Sequence, residues 1–106
     1  SDDMMIVRGV NVFPSQIEEL ILRQQALSVH YLCVLTREGP LDELTVKVET
    51  RMGLDPQSPQ AQAAAQALMH DAKTYIGTNM RVELCSEASI ERSQGKAKRV
   101  LDLRKR

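Results

Sequence analysis

A chain of 106 residues, 42% of them apolar, is long enough for one compact domain with a modest core and too apolar for disorder to be its default. Its aromatics are Phe13, Tyr31 and Tyr75 alone, so the core must be built from Leu, Val, Ile, Ala and Met, and the case for recognising nucleic acid by base stacking is weak. Net charge is zero but uneven: residues 1–91 carry seven Lys/Arg against thirteen Asp/Glu, a balance of −6, and residues 92–106 carry seven against Asp102 alone, +6. A basic tail on an acidic body points to an anionic partner for the tail. Its final residues, Arg104, Lys105 and Arg106, are expected to be a solvated, frayed end. Cys33 and Cys85 lie far apart in apolar runs, without metal or CxxC spacing. They read as two buried free thiols, with a disulfide between neighbouring strands left open. No apolar run of membrane-spanning length and no signal or lipidation pattern occurs, so the expected place is the cytoplasm, with no membrane partner.

The first predicted element is a hairpin. Met4-Met5-Ile6-Val7 and Val10-Asn11-Val12-Phe13 are short apolar runs on either side of Arg8-Gly9. Glycine tolerates positive φ and brings no Cβ to an approaching backbone or ligand. Pro14 and Ser15 then announce a helix, with Ser15 and Glu18 at capping-box spacing. Ile17, Leu20 and Ile21, and later Leu27, form its apolar stripe, and the helix should end near Gln25. Residues 29–37 are almost continuously apolar, a strand covered on both faces. After a turn at Gly39-Pro40, residues 42–50 alternate: Leu44, Val46 and Val48 inward, Thr45, Lys47 and Glu49 toward water. Ser58-Pro59 starts a second helix, with Ala61, Ala64, Ala65, Leu68, Ala72 and Ile76 on one stripe and Gly77 as its stop. Met80, Val82 and Leu84 mark another strand, and 98–103 one more. The order predicts an α+β domain: a small antiparallel sheet in a split βαβ (βαββαβ-like) arrangement, two helices on one face, preceded by a short N-terminal β-hairpin.

Two stretches carry more than pattern. Asp2-Asp3-Met4-Met5-Ile6-Val7-Arg8-Gly9-Val10-Asn11-Val12-Phe13-Pro14-Ser15-Gln16-Ile17-Glu18 resembles the hinge motif of the phenylacetate–CoA ligases, a branch of the adenylate-forming acyl-CoA synthetases. Ile90-Glu91-Arg92-Ser93-Gln94-Gly95-Lys96-Ala97-Lys98-Arg99-Val100-Leu101-Asp102 resembles their final lysine motif. Together they bracket nearly the whole chain. The resemblance implies a C-terminal lid domain spanning 1–106, cut from a ligase whose large N-terminal adenylation domain is absent. The opening on Ser1-Asp2-Asp3 fits such a piece, with Ser1 native or added.

What the resemblance implies for the residues follows position by position. Lys96 would enter the active site for the first half-reaction, where a carboxylate attacks the α-phosphorus of ATP. Asp2 would be the hinge, with Asp3 beside it. Gly9 would face the pantetheine of CoA, and Arg8 could meet a CoA phosphate or the N-terminal domain. Gly95, Lys98 and Arg99 would complete a nucleotide and phosphate loop, with a strand-edge charge role equally open for Lys98 and Arg99. ATP and CoA would be substrates, and Mg2+ would be bound with the N-terminal domain. The isolated domain would have no cofactor and no turnover. Its partners would be its own N-terminal domain and the acyl-adenylate and CoA at the domain interface. A homodimer through Met4, Met5 and Ile6 is allowed. His30 and His70 stand alone, so no metal site is assigned. The alternative is a free-standing ferredoxin-like, ACT-like regulatory module that binds a small ligand, which would not need the Gly95-Lys96 pair.

Overall fold

The computed structural model of the protein describes residues 3–91 and 98–104. The chain opens with the expected hairpin, β1 (Met5–Val7) and β2 (Val10–Val12), antiparallel with Val7 opposite Val10. That register leaves Arg8 and Gly9 as the whole loop, with φ of 48° and 79°. Two positive φ values in succession are the type I′ geometry that matches the twist of paired strands. Met5, Val7 and Val12 point into the core, while Met4 and Ile6 face outward. Of the three residues considered for self-association, Met5 is therefore not on the surface.

Helix α1 (Pro14–Leu22) starts on a different cap from the one its sequence suggests. Phe13 is the N-cap residue, Pro14 supplies the first helical φ, and the Gln16 side chain accepts from Phe13 N at 2.9 Å. Ser15 already lies inside the first turn, so the Ser15–Glu18 box does not form the cap. The helix also stops short of Gln25, because Leu27 is drawn into the sheet as the first residue of β3 (Leu27–Glu38). Strand β4 (Leu41–Thr50) pairs with β3 antiparallel, with Tyr31, Cys33 and Leu35 opposite Val48, Val46 and Leu44. These directly opposed side chains share one face and are all buried.

Helix α2 (Pro59–Asp71) is capped by Ser58, whose Oγ accepts from Ala61 N. It runs on through one π-helical turn (Ala72–Ile76), where Gly77 N donates to Ala72 O. Gly77 ends it in the left-handed region at φ 85°, as expected of the stop residue. Ala61, Ala64, Ala65 and Ala72 are buried, so the small side chains let this helix lie close on the sheet. Both helices feed one hydrophobic core and touch each other, which places them on the same face.

Strands β5 (Arg81–Cys85) and β6 (Val100–Asp102) flank the central hairpin, giving the order β5-β4-β3-β6. The α+β layout with its leading hairpin stands, and the directions make the four-stranded sheet mixed rather than purely antiparallel. β5 runs parallel to β4 and β6 parallel to β3. A strand reached through a helical crossover returns parallel to its predecessor, which is what α2 imposes on β5. The register also separates the two cysteines: Cys33 lies opposite Val46 on the helix-covered face, and Cys85 opposite Glu49 on the other. Both are free, Cys33 fully buried and Cys85 only partly. Burial pushes the Cys33 thiol up to about 12, which leaves it inert at neutral pH.

Candidate functional site

Two places in the fold hold the residues singled out from the sequence. The first is the Arg8–Gly9 turn. Both residues are exposed, and a Cβ built on Gly9 would meet nothing within 4 Å. The turn rests against the start of β4, where Arg8 Nε donates to the Asp42 carbonyl oxygen at 2.8 Å. Arg8 thus has a fixed partner inside the domain, on top of whatever its two terminal nitrogens meet.

Asp42 is the centre of this end of the molecule. Its Oδ1 accepts from Arg37 Nε at 2.6 Å and its Oδ2 from Arg104 at 2.8 Å. The hydrogen bonds from Arg37 and then from Arg104 hold its carboxyl below the usual carboxylate range. Arg104 also donates to Ile6 O at 2.9 Å and to both oxygens of Asp102, at 3.0 and 2.9 Å. Its side chain is only 15% exposed. Arg104 is therefore not the solvated, frayed residue its position suggests. Backbone pairing of β6 beside β3 carries the chain to the spot where three acceptors converge. Lys105 and Arg106 lie outside the described residues.

The second place is the root of the basic stretch. Asp2, Gly95 and Lys96 lie outside the described residues, but both flanks of 92–97 are described. On the N-terminal side, Glu49 is 1% exposed although it stands on the strand face expected to be wet. Its two carboxylate oxygens accept from Ala88 N and Ile90 N, each at 2.8 Å. The segment 86–90 folds over it, which sequence alternation could not show. On the C-terminal side, Arg99 stacks over the Tyr31 ring at 4.3 Å and donates to Tyr31 O at 3.3 Å. It also pairs with Glu18 at 3.7 Å. Tyr31 in turn donates to Pro14 O at 3.1 Å, and burial first, then Glu18, raises its phenol well above the ordinary value. Arg99 thus ties the basic stretch to β3 and α1, while Lys98 is exposed beside a cleft of about 340 Å³ lined by Leu32, Ile90, Glu91 and Leu101.

Glu49 sets an expected result. In Glu49→Ala, two strong charge-assisted hydrogen bonds to the 88–90 backbone vanish, at a cost of about 2–3 kcal/mol. Thermal unfolding of the isolated domain, followed by circular dichroism, should shift down by roughly 10 °C or more. A shift under about 2 °C would mean that water takes over both donors.

The two places are far apart. Arg99 and Glu49 lie near the Tyr31 end of β3, whereas Asp42 pairs with Arg37 near its other end. At about 3.3 Å per residue, they are separated by roughly 20 Å along the strand. Among the described residues no three His, Cys, Asp or Glu side chains converge to hold a metal ion. No helix among them is long and apolar enough to cross a membrane.

The sequence model of one family, the AMP-binding enzyme C-terminal domain, matches residues 9–104. The chain belongs to that family. Relatives of this family member include a phenylacetate-coenzyme A ligase of Aromatoleum evansii, 48% identical over 98% of the chain, and one of Escherichia coli (strain K12), 47% identical over 98%. The chain spans about a quarter of their length, 24% in each case. A solved domain of phenylacetate-coenzyme A ligase from Bacteroides vulgatus ATCC 8482 superposes with a TM-score of 0.86 at 36% identity, covering 98% of this chain and 95% of that one. A 2-hydroxyisobutyryl-CoA ligase solved with 2-HIB-AMP and CoA in its thioesterification state superposes at 0.84 and 33% identity, covering 97% of this chain and 22% of that one. Family membership favours the enzyme-domain reading over the free-standing regulatory module.

Proposed function

We propose that the chain is the C-terminal lid of an ATP-dependent phenylacetate–CoA ligase in the cytoplasm. In the first half-reaction, phenylacetate displaces diphosphate from ATP to give phenylacetyl-adenylate. In the second, the CoA thiol attacks that carbonyl, releasing phenylacetyl-CoA and AMP. Lys96 serves the first step as a positive charge beside the carboxylate and the α-phosphoryl oxygens, where negative charge builds in the transition state. Gly95 keeps the approach to it open, and Lys98 adds positive charge near the nucleotide. Arg99 contributes through its hold on Tyr31 and Glu18. Gly9 and Arg8 serve the second step, with Gly9 leaving room for pantetheine. Magnesium would accompany the ATP phosphates in the larger part of the protein.

The observation that carries this reading is the separation of roughly 20 Å between the Arg8–Gly9 turn and the root of the Lys96 stretch. A turn and a stretch rooted near opposite ends of β3 suit two different poses of the domain, one for each half-reaction. Rotation of the whole domain about Asp2 and Asp3 would bring each in turn, by a few backbone torsions. The reading is tested by assaying the full-length protein with phenylacetate, ATP and Mg2+. Diphosphate should form before CoA is added, and AMP and phenylacetyl-CoA should appear after it, with benzoate and acetate as competing acids. ATP cleavage independent of any aryl acid would sink the proposal.

A further inference from the structure

We propose that Arg104 is a positioning residue for the Arg8–Gly9 turn, setting where that turn stands over the sheet in the thioester-forming step. The inference rests on the CoA-facing role proposed for the turn and extends it to a residue far away in sequence. The hairpin β1–β2 is a separate two-stranded sheet with no backbone ladder to the four-stranded one. Two three-residue strands do not define their own orientation in water. Met5, Val7 and Val12 press the hairpin onto the core, but apolar packing is non-directional and leaves a tilt free.

Directional contacts remove that tilt. Arg104 reaches Ile6 O, two residues before the turn, at 2.9 Å. The same nitrogen reaches Asp42 Oδ2 at 2.8 Å, and Asp42 O accepts from Arg8 Nε at 2.8 Å. Ile6 and Arg8, two residues apart on the entry to the turn, are therefore both tied to Asp42, one through Arg104 and one directly. Asp102 locks the guanidinium plane by accepting from Nε and the second terminal nitrogen. A planar fork that fills acceptors on three elements is work for Arg, and Lys has no equivalent geometry. Such a pattern is more than a surface ion pair of negligible worth, because both charged partners are mostly buried, at 15% and 16% exposure.

A residue that acts only on stability would slow both half-reactions together. A residue that aims the turn slows only the second. The experiment uses the full-length protein with Arg104→Gln, Arg104→Lys and Gly9→Ala, and follows diphosphate release and, separately, thioester formation from supplied acyl-adenylate at varied CoA. Thioester formation in Arg104→Gln should fall by about tenfold or more, since a misplacement of about 1 Å is enough for a loss of that order. Arg104→Lys should recover part of it, and diphosphate release should persist in both. Unchanged thioester formation in Arg104→Gln overturns the inference. So does a matched fall of the two half-reactions in Arg104→Lys as well as Arg104→Gln. If Gly9→Ala leaves thioester formation intact, the CoA-facing reading itself fails and the inference falls with it. If Gly9→Ala lowers it and Arg104→Gln does not, only the inference fails.

Discussion

Adenylate formation in the full-length protein should drop by about a hundredfold or more when Lys96 is replaced by alanine, with thioester formation from supplied acyl-adenylate largely preserved. The magnitude follows from where charge moves. Attack of a carboxylate on the α-phosphorus joins two anions, and the phosphoryl oxygens gain charge as the bond to diphosphate stretches. An ammonium placed between the two anions helps the ground state by bringing them together and helps the transition state more. In a site closed to water that difference amounts to about 3 kcal/mol, the size seen when one preorganised donor is removed. The second half-reaction needs no such charge, because its electrophile is already an activated carbonyl. Diphosphate release in single-turnover mode reads the first step, and phenylacetyl-CoA formation from synthetic adenylate reads the second. Two unchanged rates would make Lys96 a solvated charge and remove the chief chemical role assigned to this domain.

Thioester formation should be about a hundredfold slower in Gly9→Ala, while the domain stays folded. The structure makes this a clean experiment. Nothing lies within 4 Å of a Cβ at Gly9, so alanine meets no clash inside the domain. The internal penalty is the left-handed backbone at φ 79°, about 1 kcal/mol for a residue with a Cβ. Its neighbour Arg8 already occupies φ 48° with a full side chain, so the turn tolerates a Cβ at one of its two positions. A melting temperature lowered by only a few degrees, beside a collapsed second half-reaction, would place the obstructed object outside the domain. A wild-type rate would mean that pantetheine does not pass over this turn.

Much of the architecture was legible because each element carries its own period and punctuation. The second helix has a capping serine, a proline at its first position, an alanine stripe and a glycine stop, and all four are used as expected. The central hairpin follows from the alternation of Leu44, Val46 and Val48. Strand direction was less legible, since β5 and β6 pair with their neighbours through crossovers whose geometry no local period encodes. The first helix misled because a capping box at Ser15 is a local signal, and it yielded to the proline and Gln16 of a cap set two residues earlier. At the candidate site, the Arg8–Gly9 turn was readable from glycine and flanking strands. Glu49 and Arg104 were not, because a lone charge in sequence reads as solvated, and both are covered by segments about forty or more residues away. Arg99 shows the same effect: a member of a basic run becomes the partner of a tyrosine at distant position 31.

The placement of β6 has a thermal consequence. It is a three-residue strand at the edge of the sheet, joined to β3 alone, whereas β3 and β4 form a long local hairpin at the centre. Opening free energies in a native protein rise from such edges toward the middle. Arg104 follows this edge strand, so its bonds to Asp42 and Ile6 are expected to open on warming before the central hairpin does. The helices and the central hairpin would persist through that opening, while the Arg8–Gly9 turn would lose the Arg104 part of its hold on the sheet.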